Sequence, residues 1–292
     1  MQHTWSEIES ALGAIAKVSG GFTLAHRGII TLRDGTRIFV KIGVDDSTKA
    51  WAAKEVETYR FLARSGYPFI PSLLAYNKDK TSFAIELLAH DDGWDWQDAW
   101  TDGRLAATLQ AMDDLAAVEV TGANRALFST PSLSEENDGW RALAESPKLQ
   151  QLLRAKLQAA GQVDLAGSLN IAAEAQRSAQ FDFAADVLVH NDVRADNCAW
   201  NSSLHTAKLV DWSWTQLGDR RIDLAAMLAH VHKTGFNVLP GYASRLDAGA
   251  LHWIAGFWFK RAITRLRPGA APHLRDLQLA SGLVALELAA QV

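Results

Sequence analysis

The 292-residue sequence predicts an α+β protein in two lobes, a β-rich stretch over residues 1–88 and a larger, mostly helical stretch over residues 89–292. Three observations carry this. Short β-like runs separated by turn residues fill the first 88 positions, with one amphipathic helical stretch inserted among them. Apolar residues at helical spacing dominate the remainder. A single β island near residues 186–212 interrupts those helices. With 48% hydrophobic and 21% charged residues, the chain can bury a sizeable core.

Thr4-Trp5-Ser6-Glu7 has capping-box spacing, and Ile8, Leu12 and Ile15 follow at helical intervals. Phe22–Leu24 and Ile29–Leu32 read as strands flanking a turn at Ala25-His26-Arg27-Gly28. Asp34-Gly35 is a hairpin signal, after which Arg37–Gly43 resumes as a strand. A helix fits Thr48–Ser65, with Gly66 as its stop. Ser72–Tyr76 and Ser82–Leu88 complete a small, five-stranded, mostly antiparallel sheet. Beyond it, Leu105, Leu109, Met112 and Leu115 form one helical stripe, and Ser146-Pro147 reads as an N-cap with a helix-opening proline. Leu169–Ser178, Ile222–Lys233, Ala250–Leu266 and Pro272–Ala290 are further helices, and the island comprises Asp186–His190, Cys198–Trp200 and Lys208–Trp212.

A net charge of −4 argues against a nucleic-acid coat or a polybasic membrane binder. One cysteine excludes a disulfide framework within the chain and a Cys-rich zinc site. No secretory signal or membrane-length apolar run is legible, so the expected location is the cytoplasm. The charge is uneven: His90–Asp102 carries five Asp, three Trp and no Lys or Arg.

The chemistry concentrates in His190-Asn191-Asp192-Val193-Arg194-Ala195-Asp196-Asn197, followed by Val210-Asp211-Trp212. A strand delivers a loop bearing Asp192 and Asn197, and a hairpin returns Asp211 beside them. Two carboxylates and an amide are all oxygen donors, which suits Mg²⁺ shared with phosphate oxygens and water. A carboxylate left off the metal can orient a hydroxyl and accept its proton. No Walker-type P-loop, nucleophile elbow or His-Glu-x-x-His is present, and His230 and His232 point to different faces of one helix. Cys198 reads as a buried small hydrophobe.

His-x-Asp-x-x-x-x-Asn, then a short hairpin ending in Asp-Trp, resembles the aminoglycoside phosphotransferase family of the protein-kinase-like fold. The resemblance implies ATP and Mg²⁺ as cofactors, Asp192 as catalytic base, Asn197 and Asp211 as Mg²⁺ ligands, and His190 as a loop-shaping residue. It casts Lys41, inside the apolar strand Ile38-Phe39-Val40-Lys41-Ile42, as the phosphate-pairing lysine. Glu55 is its partner in preference to Glu57, which lies about 200° around the helix. The turn up to Gly28 covers the phosphates, and Arg27 within it reads as an exposed turn residue able to reach one. Adenine pairs with backbone near Glu86 and Leu88, beside Ile85. Asp223, in Ile222-Asp223-Leu224-Ala225, supports the catalytic loop or simply opens a helix. Arg194 neutralises the transferring phosphoryl or pairs with Asp196.

Asn191 stands where this family usually has Gly, and Asn tolerates a left-handed backbone. The protein-kinase Asp-Phe-Gly and Ala-Pro-Glu segments are missing, which disfavours a protein substrate. The expected partner is a small hydroxylated molecule: an aminoglycoside, an amino sugar, an amino alcohol or a related metabolite. Asp91, Asp92, Asp95 and Asp98, with Trp94 and Trp96, are candidates to meet it, since carboxylates and indole faces attract cations. The chain is expected to act as a monomer or homodimer, without nucleic acid or membrane. The competing possibility is a nucleotide-binding pseudokinase serving as an interaction module, against which intact Lys41, Glu55, Asp192, Asn197 and Asp211 argue.

Overall fold

The Thr4 capping box starts α1 (Trp5–Ala11): the Thr4 hydroxyl accepts from the Glu7 N–H, and the Glu7 carboxylate accepts from the Thr4 N–H. The protein is described from a computed structural model that covers residues 4–18, 23–97, 99–122, 124–129, 133–267 and 270–292. Phe22 and Asp98 lie outside the described residues. Contacts divide the chain into two units, Met1–Thr130 with Val187–Gln216, and Pro131–Asp186 with Leu217–Val292.

In the first unit, β1 (Ala16–Lys17), β2 (His26–Thr31), β3 (Arg37–Ile42), β4 (Leu73–Tyr76) and β5 (Ser82–Glu86) form one antiparallel sheet in the order β1-β2-β3-β5-β4. Period-two alternation gives this sheet two different faces. Ile30, Leu32, Ile38 and Val40 on one face pack with Ile8 of α1. Arg27 and Lys41 belong to the other face. Between β3 and β4 comes α2 (Asp46–Arg64), opened by an Asp45–Thr48 capping box and followed by Gly66 at φ +72°. The Asp34-Gly35 turn closes the β2–β3 hairpin, with Gly35 at φ +86°.

One expected turn is strand instead. His26–Thr31 is extended, and Gly28 pairs with Lys17 on one side and Val40 on the other. A Cβ at Gly28 would lie 2.7 Å from the Ala16 carbonyl oxygen. Glycine thus serves close strand packing there, and not turn geometry.

The rest of the first unit carries the β island. A second sheet runs β6 (Trp94–Asp95), β8 (Cys198–Asn201), β9 (Thr206–Leu209), all antiparallel, and β7 (Val187–Val189) lies between β6 and β8 in the chain. The strand expected to reach Trp212 stops at Leu209, because Asp211 turns left-handed at φ +64°. β6 was not legible as a strand; it places two residues of the acidic segment against β8. α3 (Asp102–Ala116) begins at the Thr101 N-cap, and α4 (Asn124–Phe128) follows.

The second unit is helical: α5 (Gly139–Ala144), α6 (Pro147–Ala159), α7 (Val163–Ser168), α8 (Ile171–Ser178), α9 (Arg220–Lys233), α10 (Leu239–Tyr242), α11 (Ala248–Ile263) and α12 (Leu274–Ala289). Ser146 caps α6 and Pro147 opens it, as the sequence predicts. α11 packs against α5, α6, α8, α9 and α12. Its Gly256 lies against Gly139 and Trp140, where a Cβ would collide with the indole at 2.3 Å. Among the described residues no helix is long and apolar enough to cross a membrane.

Candidate active site

Lys41 follows Val40 in β3 and so faces away from the α1 core, with only 6% of its surface exposed. A buried ammonium needs partners. It has two: Glu55 Oε1 of α2 at 2.6 Å and Asp211 Oδ1 at 3.0 Å. Glu57 instead pairs with Arg60 and Lys80, on another part of the helix surface.

The three charges shape one another. Burial works against the Lys41 ammonium most strongly, but Asp211 and Glu55 together raise its pKa. Burial dominates at Glu55, whose carboxyl is pushed up to about 7 despite Lys41. At Asp211 burial also acts upward, yet Lys41, Arg27 and Arg194 jointly hold the carboxyl well below the usual range. Asp211 is therefore the firmly ionised member.

The Asp192 loop is built by local hydrogen bonds. His190 is fully buried; its Nδ1 accepts from the Asp192 N–H at 3.3 Å, which leaves Nε2 to donate to the Val210 carbonyl at 3.0 Å. The imidazole ties the loop to the residue before Asp211 and packs against Trp212, with ring centroids 4.5 Å apart. Asn191 adopts φ +65°, the left-handed conformation its type tolerates, and its Nδ2 donates to the Trp214 carbonyl at 3.2 Å.

Asn197 Nδ2 donates twice to Asp192, to its carbonyl at 2.8 Å and to Oδ2 at 3.0 Å. Arg194 stands between two carboxylates, its Nε 3.0 Å from Asp192 Oδ1 and a terminal nitrogen 3.3 Å from Asp196 Oδ2. Burial, opposed chiefly by Arg194, raises the Asp192 pKa to about 6.

The Asn197 amide nitrogen is committed to Asp192, which leaves Oδ1 as the ligating atom of that side chain. Asp211 Oδ1 takes Lys41 and the Ser213 hydroxyl, leaving Oδ2. Among the described residues no three His, Cys, Asp or Glu side chains converge on a self-sufficient metal cluster. One carboxylate and one amide suit a hard cation whose other ligands are phosphate and water. The residues fit Mg²⁺ arriving with a polyphosphate.

Other predicted positions are scattered more widely. Glu86 ends β5; its N–H donates to the Ser72 carbonyl at 2.9 Å and its carboxylate binds Lys208 at 2.9 Å. The Leu88 carbonyl accepts from the Trp96 indole at 2.9 Å, while its N–H has no partner among the described residues. In the acidic segment Asp91 pairs at the surface with Arg37, the Asp92 carbonyl takes the Asn201 amide, and Asp95 caps the Gln97 N–H. Trp94 is buried with Leu88 and Ala199, under the Lys208 ammonium. Asp223 lies buried in the first turn of α9 in the second unit, where the N-cap is Asp219. Cys198 is buried beside the Thr108 hydroxyl, and burial raises its thiol pKa.

Two residues carry more than the sequence conveyed. Arg104 of α3 is 1% exposed and donates to the carbonyls of Gln97, Ala99, Ala195 and Cys198, binding the acidic segment and the stretch after Asp192 to one helix. The signal was available: Arg104 and Thr108 are the polar members of an otherwise apolar stripe. Arg27 is not an exposed turn residue; it lies half-buried in β2, directly opposite Lys41.

An α+β chain of this topology, with a β3 lysine paired to an α2 glutamate and an Asp-Asn-Asp constellation, has the protein-kinase-like fold. Its similarity to solved structures extends over nearly the whole chain. The aminoglycoside phosphotransferase from Alicyclobacillus acidocaldarius aligns with a TM-score of 0.60 at 14% identity, covering 98% of this chain and 93% of that one. A spectinomycin phosphotransferase complexed with ADP and spectinomycin gives 0.58 at 13%, covering 94% and 92%. The choline kinase LicA from Streptococcus pneumoniae gives 0.56 at 11%, again covering 94% and 92%. No curated protein matches in sequence. Residues 19–257 match the phosphotransferase enzyme family, and the chain belongs to it, as an enzyme of the small-molecule kinase class.

Proposed function

We propose that this enzyme transfers the γ-phosphoryl group of Mg-ATP to a hydroxyl of a small, amine-bearing molecule such as an aminoglycoside, amino sugar or amino alcohol. The observation that carries the reading is the juxtaposition of Asp192 with Asn197 and of Lys41 with both Glu55 and Asp211. ADP-bound relatives of the same fold support the choice of nucleotide.

Residues 1–88 serve as the nucleotide lobe, and residues 89–292 as the catalytic and substrate lobe. Lys41 orients the phosphates and Glu55 holds Lys41 in place. Leu88 offers its N–H, and Glu86 its backbone, to the adenine edge. Gly28 acts through strand packing that fixes its neighbour Arg27. Asn197 and Asp211 hold Mg²⁺, which when bound neutralises charge on the β- and γ-phosphates. Asp192 orients the acceptor hydroxyl and takes its proton as the acceptor oxygen bonds to phosphorus and the bond to the β-phosphate oxygen breaks, releasing ADP.

Arg194 steadies the Asp192 carboxylate and offsets negative charge at the phosphoryl group. His190 fixes the loop, and Asp223 is assigned a supporting part. Asp91, Asp92 and Asp95, backed by Trp94, supply negative charge for a cationic acceptor. The chain is proposed to work in the cytoplasm as a monomer or homodimer, without nucleic acid or membrane.

ADP release measured over a panel of hydroxylated amines tests the reaction. Asp192→Asn should lower kcat by about 10²–10⁴-fold, the usual contribution of a positioned base, while ATP affinity is kept. A rate that never rises above the background ATPase with any acceptor, or an unaffected variant, would overturn the proposal.

A further inference from the structure

We infer that Arg27 is a second phosphate-binding cation of this site, set across the sheet from Lys41, and that it favours nucleotides carrying a polyphosphate over the bare nucleoside. This rests on the nucleotide reading of the site and adds a residue that reading does not require.

The β2–β3 register pairs Arg27 directly with Lys41. Directly opposed residues share a face, with Cβ atoms about 4.5–5.5 Å apart, and like charges so placed repel. Arg27 is half-buried, so water screens this repulsion only in part. Its guanidinium donates to the Thr23 hydroxyl at 2.7 Å and, more weakly, to the Ala25 carbonyl at 3.4 Å. Both acceptors are neutral and belong to its own segment. Among the described residues no carboxylate lies within ion-pair distance of Arg27, whereas Lys41 has both Glu55 and Asp211.

Arg27 is nevertheless near enough to favour the ionised forms of Glu55 and Asp211 and to disfavour that of Lys41. Two cations held side by side, one without a carboxylate of its own, suit a ligand with several anionic oxygens. Guanidinium has five donors in a planar fork; each terminal nitrogen makes one of these bonds, which leaves the Nε–H and one N–H on each terminal nitrogen for a phosphate group. The Thr23 and Ala25 contacts give the fork a defined position before ligand arrives.

Equilibrium binding of ATP, ADP and adenosine, in magnesium buffer without acceptor, separates the possibilities for wild type, Arg27→Gln and Arg27→Lys. Loss of one charge-assisted phosphate contact should weaken ATP and ADP about tenfold in Arg27→Gln and leave adenosine unchanged. Arg27→Lys should recover part of that loss, since charge survives but the fork does not. A uniform weakening of all three ligands, or ATP binding by both variants equal to wild type, would overturn the inference. Should Arg27→Gln fold poorly in thermal unfolding, Arg27→Lys alone decides it by the ratio of ATP to adenosine affinity. Wild type binding no nucleotide at all would defeat the nucleotide reading itself, and this inference with it.

Discussion

Asn191 shows how much a single residue decides. Its φ of +65° costs an ordinary L-residue about 1–2 kcal/mol, which Asn reduces because its short polar side chain bonds locally. Here that bond runs to the Trp214 carbonyl. Asn191→Ala keeps the strain and deletes the bond, so it should lower unfolding free energy by about 1–3 kcal/mol. Asn191→Gly relieves the strain while giving up the side chain's bonding, and should fall measurably less when both variants are unfolded in urea. Equal losses would show that backbone strain is not what Asn manages there. The left-handed position was legible because the family pattern puts Gly at this point. That of Asp211, at φ +64°, was not: an Asp before Trp looks like ordinary strand, and the bonds its side chain makes with Lys41 and Ser213 come with the fold.

Among the elements, α3 governs the site without belonging to its chemistry. Arg104 at its N-terminal turn reaches the carbonyls of Ala195 and Cys198, which flank Asp196-Asn197, and those of Gln97 and Ala99 in the acidic segment. One guanidinium thus satisfies buried acceptors from two separate stretches of chain. Removing it strands those carbonyls, each at about 1–3 kcal/mol. Arg104→Gln should therefore lower stability by about 2–5 kcal/mol and lower kcat more than nucleotide affinity, because the loop bearing Asp192 and Asn197 loosens. Lysine should not rescue it, since a single ammonium cannot span four carbonyls. Calorimetric unfolding together with separate kcat and KM values checks this; a lysine variant behaving as wild type would remove Arg104 from the loop's support. The same network explains why β6 was illegible. Trp94-Asp95 is too short for an alternating pattern, and its extended form depends on pairing with Asn201 and Trp200, remote in sequence. Four strands of the five-stranded sheet are legible in the sequence; the fifth is expected at Phe22–Leu24, but Thr23 and Leu24 form a bend and the fifth strand is β1, whose two residues carry no period.

At the scale of the whole molecule, the chemistry-bearing residues of the candidate site fall in the first unit, whereas most helical residues beyond 130 build a core of their own. That core was predicted as helices from spacing, but its polar center was not, because each partner looks unremarkable alone. Trp140 stacks on His252 with centroids 5.3 Å apart and donates its indole N–H to the His252 carbonyl at 2.7 Å. The His252 ring, 2% exposed, meets Glu174 at 2.7 Å. Burial lowers the His252 pKa from 6.5; Glu174 and Asp138 pull it back only partly, and Arg177 adds to the lowering. In the unfolded chain this histidine takes up a proton near pH 6.5, but in the folded protein only at lower pH. Its contribution to stability is thus fully present above 6.5 and is lost as pH falls toward the folded value. Each unit of acidification over that window can remove up to about 1.4 kcal/mol through this one group. Over pH 7.5 to 5.5 the raised Glu55 and Asp192 carboxyls, at about 7 and 6, act in the opposite direction, so urea unfolding reads the histidine's share as the difference between wild type and a variant that cannot titrate at this position. His252→Gln, which keeps a donor for Glu174 but cannot titrate, should start less stable and lose less over the same interval. Parallel changes in the two proteins would place the acid sensitivity elsewhere in the fold.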